Sequence, residues 1–340
     1  MRNPFMKDGY MLPVASMNSI FIDDTLVGDI FRMELIVKDC ILYQDELRLK
    51  RIDHHRVIFD GFQEALLNPD KEVRKVANSI AHKYGKRLAQ MILTLKKPSE
   101  LSKKNRSNWK EEHWNYWKKV KKIVFVGGIS LPALTKIFMQ DIKEMIKKEQ
   151  IELEISFIEG SINLGTEALS KKVDHGDALL FDFGQTNIKR RHHSKDGDDV
   201  ILDMIMPCMP SKYLFYKEQT DKELLETARK LHQYIQDVIL RTMEETLFEG
   251  KTVYIALANY VFHGEIYLYR GGYAKLGLLD DNYEEYLSNT LSQRYGRDLD
   301  VRLFHDTTAV SYFFEEQKDT AIISIGTAFG VAFVEGKKND

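Results

Sequence analysis

Four short stretches carry residues that can handle phosphates and hydroxyl groups. In Asp182-Phe183-Gly184-Gln185-Thr186 an apolar run ends on an acid and then turns at a glycine. Gly184 permits close backbone approach, Thr186 and nearby N–H groups can hold phosphate oxygens, and Asp182 can hold a metal-bound water. A D-x-G turn of an ordinary β-hairpin fits the same residues equally well. Gly326-Thr327-Ala328-Phe329-Gly330 is a second glycine turn able to wrap phosphates, although by itself a plain hairpin explains it better. In His305-Asp306-Thr307-Thr308, Asp306 follows a buried run, where an acid can take a proton from a substrate hydroxyl; an aspartate N-cap is the competing explanation. Gly127-Gly128-Ile129-Ser130 can pack against a flat base or serve as a strand-to-helix turn that needs glycine.

The elements that must position these stretches alternate in type. Apolar β-branched runs at 122–128, 153–159, 177–183, 252–258 and 300–304 read as strands, with two more at 186–192 and 199–206. Helical spacing marks 56–67, 70–96, 131–149, 163–173, 220–247 and 281–295, and another helix starts at Asp306. Residues 17–45 alternate around charged breaks and read as strands. The chain closes with two strands joined at the Gly326 turn. Strands alternating with helices predict an α/β fold with mixed sheets. The charged stretch 99–120, with Trp109, Trp114 and Trp117, reads as a surface insertion. Its tryptophans form either a partner surface or, with better odds, packing of the insertion onto the body. The GGYAKLG stretch at 271–277 reads as a loop.

Composition narrows the classes. The 340 residues suggest about two domains. A net charge of −2 gives no global signal for nucleic acid or an anionic membrane, and the basic patches are short. Two distant cysteines, Cys40 and Cys208, fit a reducing compartment. No apolar run reaches membrane-span length, and Lys7, Asp8 and Pro13 interrupt any signal-peptide core, so the expected location is cytoplasmic. The pairs His54-His55 and His192-His193 point to opposite faces of a strand, which argues against shared metal ligation.

Taken together, the four turns resemble the superfamily of sugar kinases, heat-shock chaperones and actin, and in detail its ROK branch (repressors, unknown reading frames and sugar kinases). DFGQTNIK at 182–189 is similar to that branch's opening D-x-G-G-T-x-x-K. HDTTAVSYFFEE at 305–316 is similar to N-D-A-N-A-A-x-x-x-E, and ISIGTAFGVAFVEG to the Gly-Thr hairpin motif. IVFVGGIS resembles the adenosine-side strand and turn, and SINLGTEALSKKV the closing helix. The order differs: the closing helix runs straight into the opening strand, and the normally central hairpin ends the chain. The resemblance therefore implies a two-lobed ribonuclease-H-like (actin-like ATPase) fold, circularly permuted, with termini cut after that hairpin. One lobe would comprise 1–174 plus 321–340, on the adenosine side, and the other 175–320, with the first phosphate turn and the catalytic Asp. The helix at 163–173 should end beside strand 177–183, and the terminal strands should pair in the sheet carrying residues 17–45.

The resemblance also implies an ATP- and Mg²⁺-dependent phosphotransferase acting on a hydroxyl of a small sugar or sugar derivative. Asp306 would be the general base and Asp182 the metal-positioning residue. Gly184, Thr186, Lys189, Gly326 and Thr327 would surround phosphates, and Gly127 and Gly128 would border adenosine. His305 replaces the family's Asn, and Asp29 and Arg32 stand where a G-E-x-G-H sugar motif is expected; these three are the substrate-side candidates. Gln185 replaces a glycine, and the Cys-rich zinc motif is missing. These departures keep open a non-catalytic sugar- or nucleotide-binding sensor on the same fold, and a polymerising ATPase is a third, weaker alternative. The partners expected are a sugar-like small molecule and, as an open assembly, a homodimer, with no nucleic acid and no membrane.

Overall fold

A computed structural model describes residues 2–50, 55–173, 176–185, 187–194, 196–205, 220–267, 272–326 and 328–334. In chain order its main helices and strands are α1 (Met33–Leu42), α2 (His55–Leu66), α3 (Lys71–Lys96), α4 (Glu111–Lys119), β1 (Lys122–Val126), α5 (Pro132–Lys148), β2 (Glu154–Phe157), α6 (Leu164–Ser170), β3 (Ala178–Phe183), β4 (Ile188–His193) and β5 (Asp199–Ile205). There follow α7 (Asp221–Thr246), β6 (Thr252–Leu257), α8 (Tyr283–Tyr295), β7 (Asp300–His305), α9 (Asp306–Ser311), β8 (Thr320–Ile325) and β9 (Phe329–Val334). The chain is α/β with mixed sheets, as the alternation predicts. No helix among the described residues is long and apolar enough to cross a membrane.

The chain divides into two compact units. The first holds Ser16–Ile162 and Gln317–Lys338, with Met1–Pro4; the second holds Asn163–Glu316 and the early segment Phe5–Ala15. The division falls at 162/163 rather than at 174/175, because α6 packs on β3 and α9.

The sheet of the first unit runs β9-β8-β1-β2, with β8, β1 and β2 parallel and β9 antiparallel to β8. The expectation for residues 17–45 is corrected here. Only Phe21–Ile22 and Thr25–Leu26 pair, as a two-residue hairpin, and the rest forms short helical turns and α1. Ile36, Val37 and Cys40 share the buried stripe of α1, at helical rather than strand spacing. Of the terminal strands, β8 therefore pairs with β1, and β9 pairs with β8 at the sheet edge. Their link to the early segment is Asn18, whose side chain accepts from Phe329 N–H and donates to its carbonyl, both at 2.9 Å. Of Asn68 and Asp70, either of which could cap α3 by its sequence, Asp70 is the cap, accepting from Glu72 N–H.

The tryptophan segment is not a surface insertion. Trp114 and Trp117 are fully buried, and Trp117 meets Phe333 edge-on at 5.0 Å. Lys96, at the end of α3, is buried with them. Its Nζ donates to the carbonyls of Trp117, Lys118 and Val120 and so caps the C-terminal turn of α4. Burial pushes this amine down to about 8.

The sheet of the second unit runs β7-β6-β3-β4-β5, with β7, β6 and β3 parallel, β4 antiparallel to β3 and β5 antiparallel to β4. Odd residues of β3 (Leu179, Phe181, Phe183) join a large core with α7 and α8, while Leu180 packs with Leu169 of α6 and Ala309 of α9. Both faces are covered, which explains why β3 reads as a continuous apolar run. The two sheets share a local plan. In each, an antiparallel hairpin, β3–β4 or β8–β9, continues on one side into two further strands parallel to its first.

Candidate active site

In the second unit the register lines up three strand ends. Phe183 pairs with Leu257, and Leu257 pairs with His305, so β3, β6 and β7 stop at one level. Open α/β sheets bind ligands outside such carboxyl ends. Asp182 sits at this edge on β3, and Asp306 begins α9 immediately after β7. The fold thus brings together the two acids singled out in the sequence.

Asp182 lies on the α6 side of the sheet. A Cβ at Gly165 of α6 would stand 3.3 Å from its Oδ2, so glycine makes room for the carboxylate. Across the hairpin, Asp182 pairs in register with Lys189, and Nζ lies 2.9 Å from Oδ2. The side chains are only 14% and 16% exposed. Burial raises the Asp182 carboxyl above the usual range, the Lys189 ammonium opposes that rise, and the negative charge of Asp306 adds to it. The hairpin turn is closed by Gly184 N–H donating to the Asn187 carbonyl. The hairpin geometry and the acid at its end therefore coexist. Thr186 lies outside the described residues.

The aspartate-cap explanation for Asp306 is corrected. The cap of α9 is His305, whose Nδ1 accepts from Thr308 N–H at 3.3 Å and lies 2.9 Å from Thr308 Oγ1. A backbone N–H can only donate, so Nδ1 is the bare nitrogen and Nε2 carries the ring proton. Nε2 lies 3.3 Å from Asp306 Oδ1. The imidazole is buried and stacked on Tyr260, with centroids 4.5 Å apart and planes 9° apart. Burial pushes its pKa down, while the neighbouring Asp306 pulls it back up. His305 is thus committed to α9 and to Asp306. Asp306 Oδ1 also accepts from Thr307 N–H at 2.5 Å and Thr307 Oγ1–H at 3.0 Å. Oδ2 has no partner among the described residues.

Within the 271–277 stretch, of which residue 271 lies outside the described residues, a helical turn replaces the expected loop: Ala274–Leu278 is a 3₁₀ helix, and Tyr273 before it is fully buried. Tyr273 Oη–H donates to the Gly184 carbonyl at 2.9 Å, fixing the turn beside Asp182. This contact, the Tyr260 stack and the Gly165 cradle are invisible in local sequence, since each partner lies far away along the chain.

In the first unit the two other glycine turns share the carboxyl edge of β1 and β8. Gly127 has φ +103°, and a Cβ there would meet the Ile325 carbonyl oxygen at 2.7 Å, so the position requires glycine. Gly127 N–H donates to Ser161 Oγ. At Gly128 a Cβ would approach Met33, and at Gly326 it would meet open space. Ser130, next in the turn, has a buried hydroxyl with no hydrogen-bond partner among the described residues. Thr327 lies outside the described residues. Asp29 and Arg32 also belong to this unit and form an exposed ion pair at 3.2 Å, with Arg32 Nε donating to the Gly28 carbonyl.

Of the two histidine pairs, His192 bonds Asp177 and His193 bonds Asp199, while His54 and the side chain of His55 lie outside the described residues. No cluster of three or more metal-capable side chains occurs among the described residues. The donor set at Asp182 fits a divalent ion held by one carboxylate through water and otherwise by a ligand's own phosphates, which is how Mg²⁺ commonly binds. It does not fit a protein-only cage. No known family model matches this chain, and no curated protein matches it significantly.

Proposed function

We propose that the chain is an ATP-dependent phosphotransferase acting on a hydroxyl of a small sugar or sugar derivative, on a circularly permuted ribonuclease-H-like fold. One observation carries the proposal. Asp182 and Asp306 stand at the carboxyl edge of the same three parallel strands, near enough for the charge of one to act on the other. The shared plan of the two sheets supports the fold assignment, and the run of α6 directly into β3 supports the permutation.

In this mechanism Asp306 Oδ2 takes the proton of the acceptor hydroxyl as its oxygen bonds the γ-phosphorus and ADP departs. Oδ1 stays anchored by Thr307, which fixes the carboxylate plane. Asp182 would hold Mg²⁺ through water, and the ion, when bound, would neutralise polyphosphate charge. Lys189 and the 184–186 turn meet phosphate oxygens. In the first unit the Gly127-Gly128 turn is assigned to adenosine, and Gly326 with Thr327 to phosphate. Catalysis of this type is mostly positioning and charge stabilisation.

A sensor without turnover is favoured by one specific observation: Lys189 already neutralises Asp182. A screen of sugar acceptors with ATP and Mg²⁺, read as ADP release, separates the two. Asp306→Asn should then lower turnover by about 10²–10⁴-fold, the usual worth of general-base assistance. Nucleotide-induced thermal stabilisation should survive. Because His305 provides the cap, the substitution leaves α9 capped. Failure of every acceptor to raise ADP release, or wild-type turnover by Asp306→Asn, would end the proposal.

A further inference from the structure

Lys189 stands where a cation would. Its Nζ is 2.9 Å from Asp182 Oδ2, and Asp182 is its one partner among the described residues. Two glycines clear the space. A Cβ at Gly184 would lie 3.1 Å from Nζ, and one at Gly165 would lie 3.3 Å from Oδ2. Neither glycine has a positive φ. Gly165, in the first turn of α6, therefore leaves room for the ion pair, whereas a Cβ at Gly184 would first meet the Asn187 carbonyl oxygen at 3.0 Å, so that glycine serves the hairpin turn as well as the lysine.

A buried carboxylate next to a second one needs a counter-ion. Asp306 is the second, since its charge acts on Asp182. While Lys189 supplies the positive charge, a free divalent ion finds Asp182 already neutralised and its Oδ2 already accepting from the ammonium. Lysine is also a mobile counter-ion, a point charge on a flexible four-carbon stem. A polyphosphate carries more negative charge than one carboxylate and offers several acceptor oxygens.

We propose that Lys189 is the resting counter-ion of Asp182 and is drawn off only by a polyphosphate, so that divalent metal binds together with nucleotide and not before it. This proposal rests on the phosphotransferase assignment for the identity of the displacing ligand, but the ion-pair step is testable without turnover.

The probe is Mn²⁺, followed by its paramagnetic resonance. Wild type, Lys189→Met and Lys189→Gln are titrated without nucleotide and again with ADP. Without nucleotide, both variants should bind Mn²⁺ about tenfold or more tighter than wild type, because a unit positive charge has left the carboxylate. Adding Asp182→Asn to either variant should erase the gain. Wild type should acquire comparable affinity only with ADP. Should Lys189→Met fail to fold by circular dichroism, Lys189→Gln, which keeps a donor for Asp182, carries the comparison. Wild type binding Mn²⁺ without ADP as tightly as the variants would overturn the proposal. No ADP binding by any chain, with the variants' gain intact, would instead count against the phosphotransferase assignment and leave the ion-pair step standing.

Discussion

His232 should make the second unit sensitive to mild acid. The side chain is 9% exposed on α7 and wedged against α8. Thr290 Oγ1–H donates to the Tyr286 carbonyl, so it accepts from His232 Nε2–H at 3.3 Å. Nδ1 is then the acceptor for the Tyr283 hydroxyl at 3.0 Å. A second ring proton on Nδ1 would force the Tyr283 hydroxyl to give up its donated hydrogen bond, and burial with the nearby Arg294 charge lowers the pKa from 6.5 to about 4. The unfolded chain therefore takes up this proton first. The contribution to stability is complete above the unfolded pKa, falls as pH drops through it, and levels off near the folded value. Between about pH 7 and about pH 5, linkage gives a loss of about 2 kcal/mol from this group. Amide exchange of α7 and α8, corrected for intrinsic rates, measures it directly. In His232→Gln the drop in protection between the same two pH values should be smaller by about that amount. Equal losses in wild type and variant would show that the imidazole titrates freely and would refute the burial reasoning.

Two further substitutions test the first unit. Gly127→Ala forces a Cβ into the Ile325 carbonyl at a positive φ and should lower the melting temperature by about 4 °C or more, a cost of roughly 2 kcal/mol. An unchanged melting temperature would show that the turn can relax. Lys96→Met strips the donor from three carbonyls at the end of α4 and should cost about 3 kcal/mol or more, read as a lower urea midpoint at unchanged slope.

The sequence was legible where local chemistry and tertiary packing agree. The α3 helix announces itself through a capping Asp70 and a long periodic stripe, and β3 through an apolar run that both covered faces demand. Residues 17–45 mislead because Phe21, Ile22, Thr25 and Leu26 do form a hairpin, and its alternation masks the helical spacing of Ile36, Val37 and Cys40 that follows. The tryptophan segment misleads through its lysines and glutamates, which coat one side of α4 while Trp114 and Trp117 occupy the other. At the candidate site the types of Asp182 and Asp306 were readable. The replacement of Asp306 by His305 as cap was not, because both fit a helix start and only the ring geometry decides. Tyr273 and Gly165 act on the Asp182 turn from distant stretches, so nothing near them in sequence signals it.

The tryptophans have a use beyond packing. All three of the chain's indoles, Trp109, Trp114 and Trp117, lie in the first unit, and all are buried. Their emission is a native optical label for that unit. Selective indole excitation leaves the second unit dark, so its signals must come from its tyrosines. A fluorescence change on adding a nucleotide would then report on the half of the chain with the Gly127 and Gly326 turns, without any engineered dye.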